Sequence, residues 1–300
     1  MLSIIETAVD LKAMVNPKPV LAGKTICTLF YEASTRTRIS FEQAARKLGA
    51  SVVSVAASSS SISKGESLKD TVCTLKAEGI DAIVLRHPSS GAPKFASTYF
   101  NGPILNAGDG CHEHPTQALL DLLTIKENKG RIEGLTVALV GDILHSRVAR
   151  SNIWGLSKLG AIVRLVAPPT LMPPAADTLP VETYHDLSDG LHGADVVMTL
   201  RMQTERMHQG LIPSIAEYAR LFQINELSLD YTLSEALWGQ VAPNCLVMHP
   251  GPMNRGVEIS DDAADGPNSV ILAQVANGIP IRMAALMYAF GEASNAITAS

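Results

Sequence analysis

Cysteine is scarce in this chain, with four in 300 residues, and Cys27, Cys73, Cys111 and Cys245 lie far apart. No CxxC pair and no cysteine/histidine spacing of a metal site occurs, which excludes a disulfide framework and fits reduced thiols packed as small hydrophobes. Excess positive charge is also lacking: the formal net charge is −5. That argues against bulk nucleic-acid binding and leaves any arginine cluster to act locally on a small anion. No apolar run reaches the ~18 residues of a membrane span. The start, "MLSIIETAVDLKAMVNPK", has no basic region followed by a compact apolar stretch and a small-residue cleavage site, so a cytoplasmic protein is expected. Internal repeats are missing, and the serine run Ser58–Ser61 reads as a solvated loop.

What is present is alternation. Short β-rich runs, "KTICTLF", "SVVSV", "DAIVLR" and "PILNAG", interleave with helix-period segments near Thr37–Leu48, Glu66–Ala77, Pro93–Tyr99 and Pro115–Lys126. In the second half "LTVALVG", "IVRLVA", "DVVMTL" and "CLVMH" repeat the strand signal, with helices starting near Ser146, Pro213 and Ser234. Such alternation marks a parallel sheet covered by helices. With about 150 residues per domain as a guide, the chain divides into two similar α/β lobes. The boundary is expected in "KGRIEG", giving residues 1–131 and 132–267, and the apolar segment 268–300 is expected as a helix returning to brace the first lobe.

Chemistry concentrates where strands end. "CTLFYEASTRTR" runs from an apolar strand into a helix, whose first N–H groups and dipole favour an anion. Ser34, Thr35 and Thr37 add hydroxyl donors, and Arg36 adds a planar fork suited to phosphate oxygens. The same residues also read as a capped helix with surface arginines. Other strands lead to Arg86, to His114 and Gln117, to Arg147, to Arg201 and Gln203, and to Gly251 and Pro252. Open α/β sheets build their sites at this edge, so agreement among five strands points to one polar crevice. A nucleotide site at "LVGDI" is disfavoured, because no GxGxxG follows that strand.

In order and rough spacing, "STRTR", "KGES", "RHP", "HPTQ" and "HPGP" resemble the aspartate/ornithine carbamoyltransferase family over nearly the whole chain. "HPTQ", "GDILHSRVARS" and "HPGP" look like its aspartate-specific branch, which serves pyrimidine synthesis, and the "HCLP" and "SMG" strings of the ornithine branch are not found. The resemblance implies carbamoyl phosphate held by Ser34, Thr35, Arg36 and Thr37, with Arg86, His114 and Thr37 facing the carbonyl oxygen as catalytic groups. Gln117 and the backbone at Gly251 and Pro252 would take the carbamoyl amino group. Arg147 and Arg201, assisted by Gln203, would bind the two carboxylates of L-aspartate. In the family a loop crosses into the neighbouring subunit's site, which implies a homotrimer and assigns that role to Lys64 with Ser61, or Ser60 in its place. Asp142 is expected to be structural, orienting a nearby arginine. The implied chemistry needs no metal and no cofactor. It leaves open a regulatory chain or a dihydroorotase as a further partner, with no nucleic-acid or membrane partner.

Overall fold

The computed structural model describes residues 1–56, 65–203, 211–224, 241–242 and 244–293. The chain forms two compact units, one of residues 1–120 and 276–300 and the other of residues 121–275. In the first unit the elements run α1 (Leu2–Ala13), β1 (Thr25–Phe30), α2 (Thr35–Lys47), β2 (Ser51–Ala56), α3 (Leu68–Ala77), β3 (Ala82–His87), α4 (Ala92–Ala96) and β4 (Ile104–Asp109). Helix α5 (Pro115–Lys129) spans the division. The second unit continues with β5 (Thr136–Gly141), α6 (Arg147–Lys158), β6 (Ile162–Val166), β7 (Glu182–Tyr184), α7 (Leu187–Leu191), β8 (Val196–Leu200), α8 (Ile215–Phe222), β9 (Leu246–Met248), α9 (Asp261–Asp265) and α10 (Ile271–Ala276). Helix α11 (Gly278–Phe290) belongs to the first unit.

Among the described residues each unit carries one parallel sheet, with strand order β2-β1-β3-β4 in the first and β7-β6-β5-β8-β9 in the second. The central strands are the continuous apolar runs of the sequence. Ile26, Leu29, Ile83 and Leu85 are fully buried in one sheet, and Val137, Leu139, Val196 and Met198 in the other. Helices cover both faces of such strands, and each buried Ile or Leu contributes about 1.5–3 kcal/mol. At the edge, β2 alternates less cleanly and stays half exposed.

Local chemistry sets the helix ends. Ser67 Oγ accepts from Asp70 N, so α3 begins at Leu68 rather than at Glu66. Ser214 Oγ does the same for Glu217 N, one residue after Pro213. Helix α2 begins at Thr35, two positions before the expected start, and α5 runs to Lys129 before Gly130 turns the chain at φ 75°.

Two elements add to the expected set and one expectation is corrected. The second sheet has a fifth strand, β7, too short and too exposed to give an apolar run. A first helix, α1, precedes the strands. The segment 268–300 is two helices rather than one, broken at Asn277, and residues 294–300 lie outside the described residues. Asn277 is fully buried, and its side chain accepts from Lys12 Nζ at 2.7 Å. Beyond it α11 packs on α1 and α2, with the Arg282 guanidinium 5.1 Å from the Phe41 ring. The helix near Ser234 falls outside the described residues.

Candidate functional site

Each sheet has one place where the strand order reverses, between β1 and β3 in the first unit and between β5 and β8 in the second. Helices leave opposite faces there, and the crevice beyond the carboxyl ends is the usual ligand position of open α/β sheets. Of the residues singled out from the sequence, Ser34 to Thr37 and Arg86 follow or end β1 and β3 in one unit, and Arg147, Arg201 and Gln203 follow β5 and β8 in the other, whereas His114 and Gln117 come after β4 and Gly251 and Pro252 after β9.

In the first unit, Tyr31 N donates to Arg86 O at 2.9 Å, which carries the ladder one step past β1. The chain then turns into α2 with Ser34 at its N-cap. Ser34 makes no side-chain capping bond, and the first turn of α2 contains no acidic residue. The hydroxyl and the leading amides are therefore not spent on one another. Thr35 and Arg36 are exposed, whereas Thr37 is buried. Partial desolvation lowers the Arg36 pKa from its ordinary high value, which leaves it charged at neutral pH. Ser40 Oγ donates to Arg36 O at 2.7 Å, fixing the turn that carries it.

Arg86 lies near the end of β3, mostly buried, with Nη1 donating to Ala107 O at 3.2 Å and Nε 3.4 Å from Glu32 Oε2. It is thus held from both flanking strands. His114 precedes the first residue of α5 and is buried, as are Thr116 and Gln117 behind it. The turn that delivers His114 is organised by Asp109, which is also buried. Its carboxylate accepts from Gly91 N at 2.6 Å, Asn106 Nδ2 at 2.7 Å and Glu113 N at 3.2 Å. The sequence reading did not include Asp109, and an acidic residue in "NAGDG" carries no local sign of this use.

In the second unit, Arg147 opens α6, buried, behind the Ser146 cap. Arg201 and Gln203 follow β8, each half-buried. Asp142, fully buried at the end of β5, accepts from His145 N at 3.2 Å, His145 Nδ1 at 2.8 Å and Gln203 N at 3.1 Å. It therefore ties the loops after β5 and β8 together through a main-chain amide and a histidine. Gly251 and Pro252 follow β9 and are joined by a cis peptide bond. Ser60, Ser61 and Lys64 lie outside the described residues.

Chemically, the first unit places Arg36, Arg86 and the uncapped start of α2 at the carboxyl ends of its strands, a donor set suited to a small anion. The second offers two arginines suited to carboxylates.

Comparison with known proteins gives two family matches along the chain. The description "Aspartate/ornithine carbamoyltransferase, carbamoyl-P binding domain" matches residues 1–127, and "Aspartate/ornithine carbamoyltransferase, Asp/Orn binding domain" matches residues 133–289. The aspartate carbamoyltransferase catalytic subunit of Desulforamulus reducens is 52% identical over 98% of this chain and 93% of its own. Aspartate transcarbamoylase from Trypanosoma cruzi, solved with carbamoyl aspartate and phosphate, superposes with a TM-score of 0.82 at 33% identity, covering 95% of this chain and 90% of that one. Ornithine carbamoyltransferase from Pyrococcus furiosus gives 0.81 at 31% identity, over 95% and 91%. Shape alone thus does not separate the two branches, but the two family matches together run along nearly the whole length, and the chain belongs to the aspartate/ornithine carbamoyltransferase family.

Proposed function

We propose that this protein transfers the carbamoyl group of carbamoyl phosphate to the α-amino group of L-aspartate, giving N-carbamoyl-L-aspartate and phosphate, the reaction that feeds pyrimidine synthesis in the cytoplasm. The observation that carries the proposal is the uncapped, acid-free first turn of α2 beside Arg86 at a sheet reversal, together with two arginines at the corresponding reversal of the second sheet. Aspartate is favoured over ornithine because Arg147 and Arg201 suit carboxylates, whereas an ornithine side chain would want an acidic partner.

In this reading the phosphate is held by Ser34, Thr35, Arg36, Thr37 and the leading amides of α2. Arg86, His114 and Thr37 donate toward the carbonyl oxygen. Their contribution grows as the carbon becomes tetrahedral and the oxygen takes up negative charge. Gln117 and main-chain oxygens at Gly251 and Pro252 accept from the carbamoyl amino group. The uncharged α-amino group of aspartate attacks the carbonyl carbon and the C–O bond to phosphate breaks. The departing phosphate takes the proton, so no enzyme nucleophile or covalent intermediate is needed. Fixing two reactants in line supplies much of the remaining rate enhancement. Lys64, with Ser61 or Ser60, acts in this reading on a neighbouring subunit's site, which makes the active unit a homotrimer.

A turnover assay with carbamoyl phosphate and a panel of amino acids, reading the carbamoylated product, tests the proposal. Aspartate is expected to be the preferred acceptor. Comparable turnover with ornithine would overturn the assignment.

A further inference from the structure

A buried polar chain runs through the second unit. Asp121, on α5, is fully buried and uses both carboxylate oxygens. Oδ2 accepts from Asn152 Nδ2 of α6 at 2.7 Å, and Oδ1 accepts from Gln274 Nε2 of α10 at 2.7 Å. Gln274 Oε1 in turn accepts from His249 N at 3.0 Å. The His249 side chain is also fully buried, with Nδ1 accepting from Gly251 N at 2.8 Å and Nε2 lying 3.1 Å from Glu258 Oε1. Because Nδ1 receives a main-chain N–H, the ring proton sits on Nε2 and points at the carboxylate. Glu258 Oε1 also accepts from Asn254 N at 2.6 Å. Both ends of the turn after β9 are thereby fastened by one imidazole and its carboxylate partner.

A charged carboxylate and an imidazole are costly to bury, and apolar side chains of similar volume would pack as well if filling space were their only task. What this arrangement provides, and packing does not, is a fixed direction for the peptide groups of residues 249–254. We infer that His249, oriented through Gln274 and Asp121 and clamped by Glu258, is a positioning residue that sets the Gly251–Pro252 backbone to receive the carbamoyl amino group. The inference rests on the proposed role of Gly251 and Pro252. His249 touches no substrate in it and acts through the Gly251 amide.

Two substitutions separate the two faces of the ring. In His249→Asn the amide oxygen occupies the position of Nδ1 and keeps an acceptor for Gly251 N while losing the contact to Glu258. In His249→Gln the amide reaches the Nε2 position and keeps Glu258 while losing Gly251. The Gln variant is expected to lose about 10²-fold in kcat/KM for carbamoyl phosphate, because a displacement of about 1 Å at a substrate contact costs this much. The Asn variant is expected to stay within about tenfold of the wild type, although both lower the thermal midpoint. Amide hydrogen exchange over residues 249–255 should rise in the Gln variant and stay slow in the Asn variant. Equal activity loss in both, tracking the thermal midpoint, or faster exchange in the Asn variant, would overturn the inference. Wild-type protein that carbamoylates no amino acid would refute the functional reading instead, and the exchange measurement would still decide whether Nδ1 holds the turn.

Discussion

Replacing Arg86 by alanine removes a guanidinium that the protein holds in place at some cost. Its Nη1 bonds to Ala107 O at 3.2 Å and its Nε faces Glu32 Oε2 at 3.4 Å, with only 14% of the side chain exposed. Losing the bond to the carbonyl should cost about 1 kcal/mol of stability. The Glu32 pairing adds at most about 1 kcal/mol more, because that carboxylate is partly solvated. A folded protein with a modestly lowered thermal midpoint is therefore expected. Against this, a donor that meets the developing oxyanion contributes about 3–4 kcal/mol to the transition state, or 10²–10³ in kcat. The imbalance is the test. Steady-state kinetics on Arg86→Ala should show kcat falling by two to three orders of magnitude, with the KM for carbamoyl phosphate rising far less, since the oxyanion exists only in the transition state. Arg86→Lys keeps the charge but not the fork and should fall between the two. Near-normal kcat in the alanine variant, or a loss confined to KM, would remove Arg86 from the carbonyl oxygen.

Arg201→Ala should raise the KM for aspartate steeply and leave carbamoyl phosphate binding nearly intact, as read by initial-rate kinetics and by ligand titration. Equal loss of both affinities would contradict the assignment of the two ligands. Lys64→Ala and Arg86→Ala proteins, each nearly inactive alone, should regain activity when subunits are mixed and exchange is confirmed by mass; zero activity after exchange would place Lys64 in its own chain's site or in none. Gly141→Ala places a methyl 2.9 Å from Leu200 O at a φ of 121°, and should destabilise by about 2–4 kcal/mol in denaturant unfolding. Burial pushes the Cys27 and Cys245 thiols up to about 12, with a neighbouring carboxylate, Glu78, adding to the effect at Cys27. Native protein should therefore be alkylated at Cys73 and Cys111, which are exposed and half-buried, and spared at the other two. Between about pH 9 and 12 the unfolded chain loses thiol protons that the folded chain keeps. Stability should thus fall by roughly 1.4 kcal/mol per pH unit for each thiol in that window.

Legibility in the sequence followed locality. Ser34, Thr35, Arg36 and Thr37 are consecutive, so the end of an apolar strand and the start of a helix could be read together, and the central strands announced themselves as unbroken apolar runs. Asn277 interrupts the last apolar segment within "ANGIP", whose glycine and proline were available as local signs of a break. Strand β7 has three half-exposed or exposed residues and no such sign. Least visible were the carboxylates at work inside. Asp109 gathers main-chain amides from two separate turns, at Gly91 and Glu113, and Asp121 meets Gln274 across 153 positions of chain. A carboxylate in the sequence looks the same whether it is solvated or satisfied by partners that arrive from elsewhere.

The return of α11 to α1 and α2 bears on the order in which the protein can be completed during synthesis. The buried residues of α1, among them Ile5, Ala8 and Leu11, belong to a helix that packs against α11 near the end of the chain, where Ile281, Ala284 and Met287 are buried too. The second unit is one uninterrupted stretch inserted between them. At ribosomal speeds of roughly 5–20 residues per second, that stretch takes on the order of ten seconds to emerge. Although the first unit starts earlier, the second can close first. Until the last helix leaves the ribosome the amino-terminal half exposes an unfinished apolar surface, the kind of surface that chaperones bind. Truncations at the carboxyl terminus should accordingly strike the half of the molecule that was made first.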